Sequence, residues 1–397
     1  MKTIIRQHES LGCQRTLAAS LRPLRFCVRL SLFFLFFLVL TAHAQTPPLY
    51  THWENFTTAN GMPDEKVFCV AVDGDRVWAG TENGLVLIEN GKIAKVYKPE
   101  DGLAHRVVTG VAVDKKTGDV WLSTFGGLSR LSGGQFQNYT NLTSGLANDI
   151  VYGVAVQDEF VWAATTAGIS RFNTRTGEWT IFSEKNAPLH EPWSYGITVG
   201  EGKVYAAVWG GGMLEYDLAT GNWKPYNDPD GEMEIVLFQN QGLIHDIVSS
   251  VAYNRDTKML WASTYFGLSG YDGRNWHNYL STDSGLASDF INAAQSRGDE
   301  VWACTDKGLS LLDFKTNTWV TYRPAVDTKS GRGEILITTP DKKIRKLDSS
   351  TTLAHNYILN IAFQGQDIWV ATAKGLSHGF RESTKEGKLH ERNIASR

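Results

Sequence analysis

The chain has 397 residues, 42% of them hydrophobic, which is enough to bury a large core. Its formal net charge of −3 offers no basic excess for nucleic acid or an anionic membrane surface, and its four cysteines are too few for a disulfide framework.

Arg22, Arg25 and Arg29 precede an apolar run from Leu30 to Leu40 that ends in Ala42-His43-Ala44 before Gln45. A basic start, an apolar middle and a small-residue exit form a secretory signal, with cleavage expected after Ala44. The run is too short to span a bilayer, and no cysteine follows it to carry a lipid, so no stable membrane insertion is expected after cleavage. Removing six basic residues and one acidic residue from 39 Lys+Arg and 42 Asp+Glu leaves 33 against 41, or −8. Only Cys69 and Cys304 remain. The expected address is the periplasm or the exterior.

From Gln45 onward one phrase recurs. Val77-Trp78-Ala79-Gly80-Thr81 with Gly84-Leu85 returns as Val120-Trp121-Leu122-Ser123-Thr124 with Gly127-Leu128. Further copies centre on Trp162, Tyr205, Trp261, Trp302 and Trp369, at successive spacings of 43, 41, 43, 56, 41 and 67 residues. Each copy is flanked by an apolar segment before it, a segment after it that opens with Gly and an apolar residue (Gly-Leu in five of the seven), and an aromatic segment beyond. Four strands in a period near forty residues predict the blades of a propeller, here an all-β, seven-bladed β-propeller with four antiparallel strands per blade over 45–380.

Trp78 and Gly80 fall on one face of their strand, with Val77, Ala79 and Thr81 on the other. The residue two after each aromatic is small: Gly80, Ser123, Ala164, Ala207, Ser263, Cys304 and Ala371. A second small column, Cys69, Gly110, Gly153, Gly196, Ser250, Ala293 and Asn360, marks the first strands, where seven strands crowd the axis. Both cysteines thus read as packing residues. The fourth strand carries an aromatic pair in four blades and weaker forms of it ending at Tyr97 and Tyr139 in two more. The seventh comes from His52-Trp53-Glu54-Asn55-Phe56, so the N-terminal strand should close the last blade against the strand starting at Gly375 and leave no open edge. The charged tail, 381–397, has no comparable pattern and is expected to be mobile.

The stretch from Asp73 to Leu85, together with Gly118-Asp119-Val120-Trp121 and the Gly-Leu phrases at Gly102, Gly145, Gly242 and Gly285, resembles the repeat of the two-component regulator propeller family. The resemblance covers almost all of the chain after Ala44. It implies the sensing part of a periplasmic sensor of hybrid two-component systems. The chain departs from the family plan in having a single propeller, no second apolar span and no room after Ser377 for a kinase, so only the sensing or binding part carries over.

The blade-to-blade loops and the loops between strands two and three emerge on one face. Insertions at 228–241 and about 327–352 belong to the first kind and are expected to decorate that mouth of the channel. Asp64, His105, Asn148, Glu191, His245, Ser288 and His355 form one polar column there, with Asp246 beside His245. Glu82, Phe125, Thr166, Trp209, Tyr265, Asp306 and Ala373 form another, in which Trp209, followed by Gly210-Gly211-Gly212, and Tyr265 are candidates for ring stacking. The competing reading of both columns is a solvated rim.

Three histidines in a column suggest a metal, but they belong to blades two, five and seven, and no metal or cofactor is expected. Gly375-Leu376-Ser377-His378-Gly379 matches a nucleophile elbow only in letters, because Ser129 and Ser310 occupy the same place in other blades. Asp228-Pro229-Asp230-Gly231 lacks the glutamate of a calcium loop, Leu237 standing there instead. The expected function is a sensor that binds a small molecule, glycan-derived, or a partner signalling or membrane protein, with no nucleic acid involved. The alternatives are a lyase or lactonase using His105, His245 or His355 with Glu191 or Asp64, and a structural scaffold.

Overall fold

Each copy of the repeated phrase is the second strand of an antiparallel sheet. The computed structural model describes residues 47–231, 239–325, 331–382 and 391–392. Residues 1–46, on which the expected signal falls, and residues 232–238, including Leu237, lie outside the described residues, as does most of the charged tail. Among the described residues, no helix is long and apolar enough to cross a membrane.

Seven sheets follow in chain order: 67–97, 108–139, 151–182, 194–226, 248–279, 291–349 and 358–381, the last completed by Tyr50–Phe56. Tyr50–Phe56 pairs antiparallel with Gly375–Arg381, in the register Trp53↔Gly379, Asn55↔Ser377 and Phe56↔Leu376. The closure expected from the sequence is therefore present. Asn55 does there what Asn138 does in blade two: its Oδ1 accepts a hydrogen bond from the third-strand hydroxyl, at 2.7 Å in both blades.

The apolar core is divided into seven clusters, each between two neighbouring blades. Trp78 faces blade two, while Val77 and Ala79 face blade seven, as strand alternation requires. The indole of strand two meets the last aromatic of strand four in its own sheet: Trp121 on Tyr139 at 5.7 Å, Trp162 on Phe182 at 5.8 Å and Trp302 on Tyr322 at 6.0 Å. Trp369 finds its partner in Phe56, at 5.5 Å, from the other end of the chain.

The small columns are space-savers. A Cβ at Gly80 would lie 2.5 Å from Cys69 Sγ and 2.7 Å from the Val108 carbonyl oxygen. Cys69 and Cys304 are buried and unbridged, and burial pushes the Cys69 thiol up to about 12, far from a reactive thiolate. Ser377 is fully buried; its Oγ accepts the Ala354 amide at 2.9 Å and donates to Asn55. That is a strand-to-loop tie and not a nucleophile's setting.

The second insertion departs from expectation. Gly333–Thr338 and Ile344–Ser349 form a hairpin paired to the outer strand Thr318–Pro324, in the register Tyr322↔Ile335 and Val320↔Ile337. Blade six is thus wider than four strands, and 333–349 lies on its outer flank rather than at the channel mouth. The cause is legible in Gly333-Glu334-Ile335-Leu336-Ile337: its alternation lets Ile335, Ile337 and Leu347 cover Tyr322, which is 2% exposed. Glu391–Arg392 adds a two-residue strand beside Ile344–Ser349.

Candidate functional site

The loop face is knitted by backbone hydrogen bonds that join the two sets of loops. Gly127 donates to Asp149 O at 2.8 Å, Gly212 to Asp246 O at 2.9 Å and Gly267 to Asp289 O at 2.9 Å, each reaching from one blade into the loop that opens the next. Trp209 donates to Trp193 O at 2.9 Å and Ala373 to Tyr357 O at 3.0 Å. Both sets of loops therefore share one mouth, as the sequence predicts.

The polar column has a structural occupation. Asp64 Oδ1 accepts the Lys66 amide at 3.0 Å, His105 Nδ1 that of Val107 at 3.1 Å, and Asn148 Oδ1 that of Ile150 at 2.9 Å. His245 Nδ1 accepts the Ile247 amide at 2.9 Å, Ser288 Oγ that of Phe290 at 3.3 Å, and His355 Nδ1 that of Tyr357 at 3.0 Å. Every one of these bonds spans two residues and fixes the turn that delivers the chain into the inner strand. His245 is only 3% exposed and stacks on Phe266 at 4.1 Å. Burial, helped by the charge of Lys374, holds the His355 imidazole below its ordinary value. Asp246 Oδ1 accepts the Asp228 amide at 2.8 Å, bracing the first insertion. Glu191 is exposed beside Gly210. Within that insertion, Gln239 and Asn240 bond Asn278 of the outer strand of blade five.

The aromatic members of the second column do come together. All seven inner strands carry a register shift at their second residue, between Val67 and Cys69, Val108 and Gly110, Val151 and Gly153, Ser194 and Gly196, Val248 and Ser250, Ile291 and Ala293, and Ile358 and Asn360. A bulge bends the strand and re-aims the extra side chain, here Phe68, Thr109, Tyr152, Tyr195, Ser249, Asn292 and Leu359. Thr109, Ser249 and Asn292 each donate to the carbonyl of the first residue in the next inner strand, at 2.6, 2.6 and 2.7 Å. Tyr152 and Tyr195 instead stack on each other at 4.4 Å.

From that pair an arc of rings runs both ways. Phe125 meets Tyr152 edge-on at 5.7 Å; Tyr195 lies 5.1 Å from Trp209, Trp209 meets Tyr265 edge-on at 4.8 Å, and Tyr265 lies 3.9 Å from Phe290. The arc borders the central channel, a cavity of about 260 Å³ bounded by all seven inner strands. Phe125 and Trp193 are 36% and 49% exposed on this face. Burial, with Tyr152 alongside, pushes the Tyr195 phenol up to about 12, and burial also raises Tyr265 and Tyr357, so at neutral pH these hydroxyls stay protonated and able to donate.

Sequence reasoning named Phe125, Trp209, Tyr265 and Asp306 but missed Tyr152, Tyr195, Phe290 and Tyr357. The last two precede their inner strands in the column Lys66, Val107, Ile150, Trp193, Ile247, Phe290 and Tyr357, whose apolar bias was the available signal. Among the described residues no group of acidic, histidine or cysteine side chains is disposed to hold a metal.

No family model matches the sequence, and no curated protein does. The fold is similar to that of an extracellular domain from B. thetaiotaomicron assigned to a hybrid two-component system, with 17% identity and a TM-score of 0.61 over 87% of this chain and 46% of that one. A second such domain from the same organism aligns with 16% identity and a TM-score of 0.58, over 83% and 42%. The chain thus spans about half the length of these sensor domains. Virginiamycin B lyase from Staphylococcus aureus aligns with 14% identity and a TM-score of 0.58, over 83% of this chain and 98% of the lyase. At these identities the likeness is one of fold.

Proposed function

We propose that this chain is an exported recognition propeller whose aromatic mouth binds a small ring-bearing ligand, glycan-derived, and reports it to a separate signalling or membrane partner. The observation that carries this reading is the continuous arc Phe125–Tyr152–Tyr195–Trp209–Tyr265–Phe290 over a polar channel. Flat rings stack on the C–H faces of a sugar, while phenols, amides and a carboxylate fix its hydroxyls. The fold likeness to extracellular sensor domains supports the sensing context, and the basic, apolar, small-residue start of the chain supports export.

The lyase or lactonase reading has less behind it. His105 and His355 each commit Nδ1 to a backbone amide, and among the described residues neither makes an ion pair with Glu191 or Asp64. A thermal-shift screen of mono- and oligosaccharides tests the binding reading. A ligand present at a hundred times its dissociation constant stabilises the fold by about 2.7 kcal/mol. The upshift should vanish in Trp209→Ala; an upshift that survives that change, or none across the library, refutes the reading.

A further inference from the structure

The aromatic arc ends at blade six on a carboxylate with an incomplete hydrogen-bond complement. Asp306 follows Thr305 at the tip of the loop between strands two and three, and its amide bonds Phe290 O at 3.4 Å. Its side chain makes no ion pair among the described residues, and its Oδ1 is buried without a hydrogen-bond partner. The residue as a whole is only half-buried, at the tip of a loop on the mouth face. Phe290 stacks against Tyr265 on one side. On the other, the charge of Asp306 acts on the Tyr357 phenol, which also lies against Asn292.

A carboxylate withdrawn from water costs free energy unless donors compensate it. The loop supplies none, although the same tip in blade five carries a Tyr and in blade three a Thr, so an ionisable group here is not a requirement of the turn. We infer that Asp306 is the specificity residue of the mouth, accepting a hydrogen bond from a hydroxyl or ammonium group of the ligand and rejecting ligands that present a carboxylate at that end. This rests on the mouth being the binding site. Rings on one side and an acceptor on the other suit a neutral or amino sugar and disfavour a uronic acid, whose charge would face Asp306 at close range.

The test is a tryptophan-fluorescence titration with methyl glycosides, amino sugars and uronic acids in gluco, galacto and manno configurations, on the unaltered chain, Asp306→Asn and Trp209→Ala. The amide keeps the shape, and no side-chain hydrogen bond is lost on substitution, so the unfolding midpoint should hold. Binding of a neutral or amino sugar that is at least tenfold weaker in Asp306→Asn, with uronic acids bound only by that variant, is the expected result. Preference between the hydroxyl-only and amine-bearing sugars identifies the donor. Binding that Trp209→Ala abolishes but Asp306→Asn leaves unchanged, or tight binding of a uronic acid to the unaltered chain, overturns the inference and leaves the mouth as the site. Absence of quenching with every sugar overturns both.

Discussion

Replacing Trp53 and Phe56 by alanine should unlatch the ring. Only three residues apart, they point to opposite faces of the closing strand: Trp53 lies in the cluster between blades six and seven, Phe56 in that between blades seven and one. Trp53 is 4% exposed, with its ring near Tyr50 and Tyr322, and Phe56 fills the place beside Trp369. Truncating a buried Phe or Trp costs about 3–5 kcal/mol, and because the two occupy separate clusters the costs should add, to about 6–10 kcal/mol. That is comparable with the whole stability of an ordinary domain, about 5–15 kcal/mol. Urea unfolding followed by circular dichroism should show each single variant destabilised and the double variant without a cooperative native baseline. A double variant no less stable than either single one would refute the reasoning that the strand closes two cores at once.

Gly80→Ala should destabilise by about 1–3 kcal/mol, because the added methyl meets a backbone carbonyl as well as Cys69; adding Cys69→Ala should not restore the urea midpoint. Burial, reinforced by the neighbouring Asp230 and Asp246, pushes the Asp228 carboxyl up to about 6. A carboxyl raised above its unfolded value penalises the charged form, so Asp228→Asn should raise the melting temperature at pH 7.5, and the gain should shrink as pH falls through 6 towards 4. His378, stacked on Trp369 at 4.0 Å, is held below its ordinary value by burial despite the opposing charge of Asp367. It contributes stability above about pH 6.5 that is lost on acidification; His378→Phe should flatten the melting temperature between pH 7 and 5.

The repeat was legible because its constraint is periodic: the position two after the aromatic must be small, as at Gly80, where Cys69 and Val108 of the next inner strand leave no room for a side chain. A small residue follows Trp or Tyr205 at that place in every blade. Closure was legible as a missing member, the aromatic pair supplied by Trp53 and Phe56. The hairpin 333–349 was misplaced because its length, and not its alternation at Ile335 and Ile337, was weighed. Tyr152 and Tyr195 were hidden for a different reason. A bulge breaks the two-residue period from which a strand's faces are read, so nothing in strict alternation directs them to the mouth. The polar column was legible too, and it carries a second reason to recur: Asp64, Asn148 and the three histidines each accept the amide two residues on and fix that turn.

The most direct test is a crystal of this chain grown with a sugar that raises its melting temperature. The sugar ring should lie flat within van der Waals contact of Trp209 or Tyr195, with a hydroxyl or amine on Asp306. Density for it on the outer flank, or on the opposite end of the channel, would contradict the assignment of the aromatic mouth.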